Sequence, residues 1–130
     1  MFDPKTKILV VDDMSTMRKL VTKTCQRIGF TDFAEAADGA LAWETLNTDK
    51  DLGLIISDWN MPNCTGLAFL TRVRADARYK HIPFFLVTAE AEKHQVVDAL
   101  KSGCSGYVVK PFTPESLTTT LEAAHKRMAK

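Results

Sequence analysis

Apolar residues cluster in five short runs along the chain: ILVV at 8–11, FAEA at 33–36, LII at 54–56, FFLV at 84–87 and YVV at 107–109. Each run is strand-sized and mostly continuous, the pattern of parallel strands whose two faces are both covered by helices. Between the runs the period becomes helical. Met17, Leu20, Val21, Thr24 and Ile28 recur on one face after the cap candidate Ser15, and Gly29 follows as a stop signal. A short second helix is predicted from Ala40 to Asn47. Leu67, Leu70 and Val73 mark a third, and Val96, Ala99 and Leu100 mark a fourth that stops near Gly103. The last helix opens with TPES, which puts Thr113 at the N-cap, Pro114 at the first helical position and a capping-box acid or hydroxyl just inside. Leu117, Leu121, Ala124 and Met128 form its apolar stripe, and Lys126, Arg127 and Lys130 suit the negative end of its dipole.

Strand followed by helix, five times over with short connections, predicts an α/β fold: a doubly wound five-stranded parallel sheet with five helices and right-handed crossovers. FAEA is the weakest strand, being poor in β-branched residues. A chain of 130 residues, 45% hydrophobic, suits one compact domain over 1–130. No apolar run approaches the ~20 residues of a membrane span, and MFDPKTK lacks the apolar centre of a signal peptide. A cytoplasmic protein is expected.

Charge and cysteine content narrow the chemistry. The formal net charge of +1 gives no nucleic-acid footprint, but its distribution is uneven. Residues 1–65 carry 10 acids against 7 bases, whereas residues 66–130 carry 6 acids against 10 bases, so a cation site is to be sought in the first half. Arg72, Arg74, Arg78 and Lys80 lack interleaved aromatics and are expected to form a solvated helix face. Cys25, Cys64 and Cys104 are odd in number, widely spaced and without a C-x-x-C pair, which suggests neither a disulfide framework nor a zinc site. They are expected to be reduced thiols, Cys25 near a helix core face and Cys64 the most accessible.

The stretch ISDWNMPNCTG at 56–66 ends an apolar strand on a carboxylate. The other strands end in kind: the first on Asp12 and Asp13, the fourth on Thr88, the fifth on Lys110. In a parallel α/β sheet these ends share one edge, where ligands bind beside the topological switch point. Singly, an Asp after a strand serves equally well as the N-cap of the next helix. Together, three carboxylates at one edge call for neutralisation by a raised pKa, a cation or an ammonium. All-oxygen ligands select a hard ion, and few protein ligands suit Mg²⁺. A carboxylate nucleophile beside a metal-bound phosphoryl group, with Lys110 and Thr88 on its other oxygens, has the parts for phosphoryl transfer.

At these residues the chain resembles the receiver domains of two-component response regulators, most closely the single-domain chemotaxis members. The motifs ILVVDD, EAADG, SDWNMP, VTAEA and GYVVKPFT stand in the family's order and spacing over essentially the whole chain. The resemblance implies a sheet order of 2-1-3-4-5 and a phosphoryl group accepted by Asp58 from a histidine kinase. It implies Mg²⁺ held by Asp13, Asp58 and the backbone carbonyl of Asn60, with Asp12 helping through water. Lys110 would pair with the phosphate, Thr88 would swing to hydrogen-bond it, and Tyr107 would turn inward, so Thr88 and Tyr107 form the expected switch. The Lys110–Pro111 bond looks like the family's cis peptide. Implied partners of the monomer are the kinase, a flagellar motor switch protein and a phosphatase. Glu92 and Thr120 depart from the lysines of the best-matched chemotaxis members on the presumed output face, and NCTG departs from the usual loop after Pro62. Trp59 is expected to be partly exposed and to serve as a fluorescence reporter, with Trp43 as background.

Three other readings stand beside this one. A phosphate sink or relay intermediate would use the same site without binding the motor. An aspartyl-phosphate-using phosphatase would want D-x-D on one strand, but Asp12 and Asp13 are adjacent and Asp58 lies elsewhere. A flavin module would want a Ser/Thr/Gly-rich loop after the first strand, where DDMSTMRK stands instead; neither a Walker A loop nor G-x-G-x-x-G occurs.

Overall fold

The computed structural model describes residues 2–59, 61, 64–88, 97, 100–110 and 112–128. Five strands form one sheet: β1 (Lys7–Val11), β2 (Asp32–Ala36), β3 (Leu52–Asp58), β4 (Phe84–Thr88) and β5 (Gly106–Val109). All pairings are parallel and the order is β2-β1-β3-β4-β5. Four helices lie among the described residues: α1 (Ser15–Ile28), α2 (Gly39–Thr48), α3 (Gly66–Ala75) and α4 (Pro114–Met128). The predicted segment around Val96 and Ala99 lies outside the described residues, although Val97, Leu100 and Lys101 are helical. Four helices can thus be bounded among the described residues, and the fourth of the five expected falls largely outside them.

Strand alternation divides the core into two layers. Leu9, Val11, Ile55, Phe84 and Leu86 face α2 and α3, meeting Ala42, Leu46, Phe69, Leu70 and Val73. Ile8, Val10, Leu54, Ile56, Phe85 and Val87 face α1 and α4, meeting Val21, Cys25, Leu117, Leu121 and Ala124. With both faces covered, the strands need continuous apolar runs, which explains why they read that way in the sequence.

The helix ends show which local signals operate. Gly29 closes α1 at φ 131°, a left-handed value that favours glycine. Ser15 is the first helical residue rather than the cap; Met14 occupies that position without a side-chain bond. Asp38 caps α2 by accepting from the Leu41 N–H at 2.8 Å, and Thr65 caps α3 by accepting from the Ala68 N–H at 3.1 Å. At α4, Thr113 and Ser116 cap reciprocally, each side-chain oxygen accepting from the other's backbone N–H.

Two packing expectations change. Trp59 is buried, because alternation along Ile55, Ser57 and Trp59 carries its ring into the layer beneath α2 and α3. The basic cluster is not uniformly solvated either. Arg74 donates from Nε to the Gly103 carbonyl at 2.7 Å and from Nη1 to the Ile82 carbonyl at 2.8 Å, tying two connections to α3. Arg72 lies over the Trp43 ring at 4.3 Å, and Trp43 meets Tyr79 edge-on at 5.6 Å. Among the described residues no helix is long and apolar enough to cross a membrane.

Candidate functional site at the carboxyl edge of the sheet

Sheet order decides where side chains can meet. The chain crosses from β1 to β2 on one side and reaches β3 on the other, which makes the β1–β3 seam the topological switch point. Asp12 and Asp13 follow β1 and Asp58 ends β3, so all three reach that seam. Each offers a carboxylate oxygen, and these oxygens lie within 4.8 Å of one another. Asp12 and Asp58 are buried, whereas Asp13 is exposed.

Lys110 supplies the opposing charge. It follows β5, and its backbone N–H donates to the Thr88 carbonyl at 2.7 Å. Its Nζ lies 3.2 Å from Asp58 Oδ1 and 3.7 Å from Asp12 Oδ2. The Trp59 N–H also donates to Asp58 Oδ1, at 2.9 Å, so two donors grip the same carboxylate oxygen. Thr88 is buried at the end of β4, one residue past the Asp58 partner Val87.

The loop after Asp58 is held as closely as the acids. Gly66, the first residue of α3, donates to the Trp59 carbonyl at 2.9 Å. A Cβ on Gly66 would stand 2.1 Å from the Asp58 carbonyl oxygen and 2.9 Å from Leu86 Cδ2. Only glycine lets the helix start this near the strand end.

Burial pushes the Asp12 carboxyl above its ordinary range, the Met14 N–H at 2.9 Å opposes this, and the nearby Asp58 charge adds to the rise. Ionised Asp12 therefore costs stability at neutral pH, and the cost is relieved as pH falls through its raised folded pKa. Without divalent ions, Asp12→Asn is expected to stabilise the fold at neutral pH by ~1 kcal/mol, the size of one relieved close charge contact. Urea titration checks this, and the gain should shrink towards pH 4. A destabilised variant would mean that attraction to Lys110 outweighs the burial cost.

Asp12, Asp13, Asp58 and Lys110 thus meet at the edge expected from the strand ends, and Thr88 ends β4. Asn60, Pro62, Glu92 and Pro111 lie outside the described residues, and with them the expected carbonyl ligand and the Lys110–Pro111 peptide. Tyr107 lies away from the acids on β5, 36% exposed, beside a groove shared with Leu100, Cys104 and Thr120. Cys25 is buried, whereas Cys64 and Cys104 are half-buried. Burial raises all three thiols, Cys25 to about 12, which disfavours the reactive thiolate. Sequence reading missed Gly66, although a glycine opening a helix just after the strand-end loop was a usable signal. It also missed Arg18, whose Nη1 donates to the Asp12 carbonyl at 2.7 Å; a lone basic residue on a polar helix face carries no such signal.

A model of the response regulator receiver domain matches residues 8–122. The chain belongs to the response regulator receiver family. Chemotaxis protein CheY1 of Helicobacter pylori is 47% identical over 116 residues, covering 89% of this chain and 94% of that protein. Chemotaxis protein CheY of Pseudomonas aeruginosa is 45% identical over 122 residues, 94% of this chain and 98% of that one. Among solved structures, the chemotaxis response regulator CheY4 of Vibrio cholerae superposes with a TM-score of 0.82 at 36% identity, over 92% of this chain and 98% of that one. This is accordingly a CheY-like receiver. The all-oxygen acid cluster at its switch point fits a hard divalent cation by donor type and spacing.

Proposed function

We propose that this receiver accepts a phosphoryl group on Asp58 from the phosphohistidine of a histidine kinase, in a Mg²⁺-dependent reaction, and signals in chemotaxis to a flagellar motor switch protein. The observation that carries the reading is the approach of three carboxylates to within 4.8 Å, with Lys110 Nζ 3.2 Å from Asp58. Asp12, Asp13 and Asp58, together with the backbone carbonyl of Asn60, hold the Mg²⁺. When bound, the ion supplies positive charge to the phosphoryl oxygens.

The protein's own groups do the rest. An Asp58 carboxylate oxygen attacks phosphorus, a P–O bond forms and the P–N bond breaks, its electron pair returning to the imidazole. Lys110 moves from pairing with Asp58 to pairing with the phosphoryl group. Thr88, at the end of the neighbouring strand, donates its hydroxyl to a phosphoryl oxygen. That contact exists only in the phosphorylated form and can therefore bias a switch. Tyr107, two strands from Asp58 and partly exposed, is the second switch element. Attack of water on phosphorus, aided by a phosphatase partner, resets the monomeric, cytoplasmic protein.

The test is incubation with Mg²⁺ and a small acyl phosphate. Intact mass should rise by one phosphoryl group, labile to hydroxylamine, and chelation of Mg²⁺ should abolish the change. Modification that persists without Mg²⁺, or none at all, would refute the reading. Capture by a motor-switch peptide only in the phosphorylated form separates chemotaxis output from a phosphate sink. The naming of the relatives as chemotaxis proteins favours output.

A further inference from the structure

Asp12 and Asp13 are adjacent, directly after the last residue of β1. In an extended strand successive side chains point to opposite faces. Here a carboxylate oxygen of each lies within 4.8 Å of the other and of Asp58. The peptide joining the two acids must therefore turn out of the strand orientation, and a turned peptide needs a partner to stay turned.

The bonds of Asp12 identify that partner. Its N–H still follows the sheet, donating to the Ala36 carbonyl at 3.1 Å. Its Oδ1 accepts from the Met14 N–H at 2.9 Å. Its backbone carbonyl accepts from Arg18 Nη1 at 2.7 Å. That carbonyl shares one planar unit with the Asp13 N–H, so whatever fixes the carbonyl also fixes the direction in which Asp13 leaves the strand.

We propose that Arg18 is a positioning residue for the cation site, holding the Asp12–Asp13 peptide turned so that both carboxylates face the same ion. Glu35 completes the device by accepting from Arg18 Nε at 3.1 Å. It lies on β2 in register with Val10, so the sheet itself aims the guanidinium. The planar fork of arginine can serve the carboxylate and the carbonyl together. The Arg18 side chain is only 19% exposed, against 48% for Glu35, which favours a fixed orientation over a roaming surface charge.

The inference rests on the Mg²⁺ reading above and makes a prediction of opposite sign to simple electrostatics. By charge alone, a guanidinium near three carboxylates repels a cation, and its removal would tighten Mg²⁺ binding. Loss of a group that orients ligands weakens metal binding instead, typically by ~10-fold or more.

Calorimetric Mg²⁺ titration of the full metal-free chain separates the two, with thermal melts in chelator reporting stability. Arg18→Met is expected to bind Mg²⁺ ~10-fold more weakly than wild type. Arg18→Lys, which keeps the charge and can still donate to the Asp12 carbonyl, should recover part of the loss. Unchanged or tighter binding by a folded Arg18→Met would overturn the role, as would a lysine variant no better than methionine. Should Arg18→Met fail to fold, Arg18→Lys carries the test: affinity below wild type is expected and equal affinity overturns it. Absence of Mg²⁺ uptake by the wild type would defeat the metal reading itself, whereas normal wild-type uptake with an unaltered Arg18→Met would defeat only the positioning role.

Discussion

Asp58→Asn is expected to lower phosphoryl incorporation from an acyl phosphate by at least ~10³-fold, in keeping with removal of a reacting nucleophile. An amide oxygen is neutral and a poor nucleophile, and its attack would give an unstable O-phosphoryl imidate in place of an acyl phosphate. The fold should survive the change. Asn can still accept the Trp59 N–H that Asp58 Oδ1 now accepts at 2.9 Å, and one of three close carboxylates loses its charge. Intact-mass measurement with Mg²⁺ present checks the prediction, with circular dichroism as the control for folding. Undiminished incorporation would move the acceptor to Asp12 or Asp13.

Gly66→Ala is expected to cost roughly 3 kcal/mol of stability, at the upper end of overpacking penalties. At ~4 °C per kcal/mol for a chain of this size, the melting temperature would drop by ~12 °C. The size follows from what the added methyl would meet. It would lie 2.1 Å from the backbone carbonyl oxygen of Asp58 and 2.9 Å from the buried Leu86 side chain. A flexible side chain could step aside, but a strand carbonyl cannot without carrying the Asp58 side chain with it. The variant should therefore lose Mg²⁺-dependent phosphorylation as well as stability. A near-normal melting temperature, read by differential scanning calorimetry, would mean that the start of α3 can slide along β3.

The legible parts of the fold were those written in long-range pattern. The five apolar runs became the five strands, because a sheet buried on both faces requires continuous hydrophobicity. The strand-end polar residues converged because parallel topology gathers all such ends at one edge. Sheet order came from the family resemblance, since nothing in local periodicity distinguishes β1 next to β2 from β1 next to β3. What stayed hidden depended on rotation about single peptides or on one long side chain. Trp59 looked partly exposed because it follows the strand end at Asp58, yet the alternation of Ile55 and Ser57 continues through it. Arg74 looked like a surface base because its two carbonyl partners, on Ile82 and Gly103, are remote or featureless in sequence. Ser15 looked like a cap because its type is right, yet the helix begins one residue earlier than that reading allows.

A free carboxylate is symmetric: rotation exchanges its oxygens, and either can react. In Asp58 that symmetry is broken, since the Trp59 amide and the Lys110 ammonium both converge on Oδ1. If Asp58 is the phosphoacceptor proposed above, its two oxygens are inequivalent before any donor arrives, Oδ1 being the one already engaged by an amide and an ammonium.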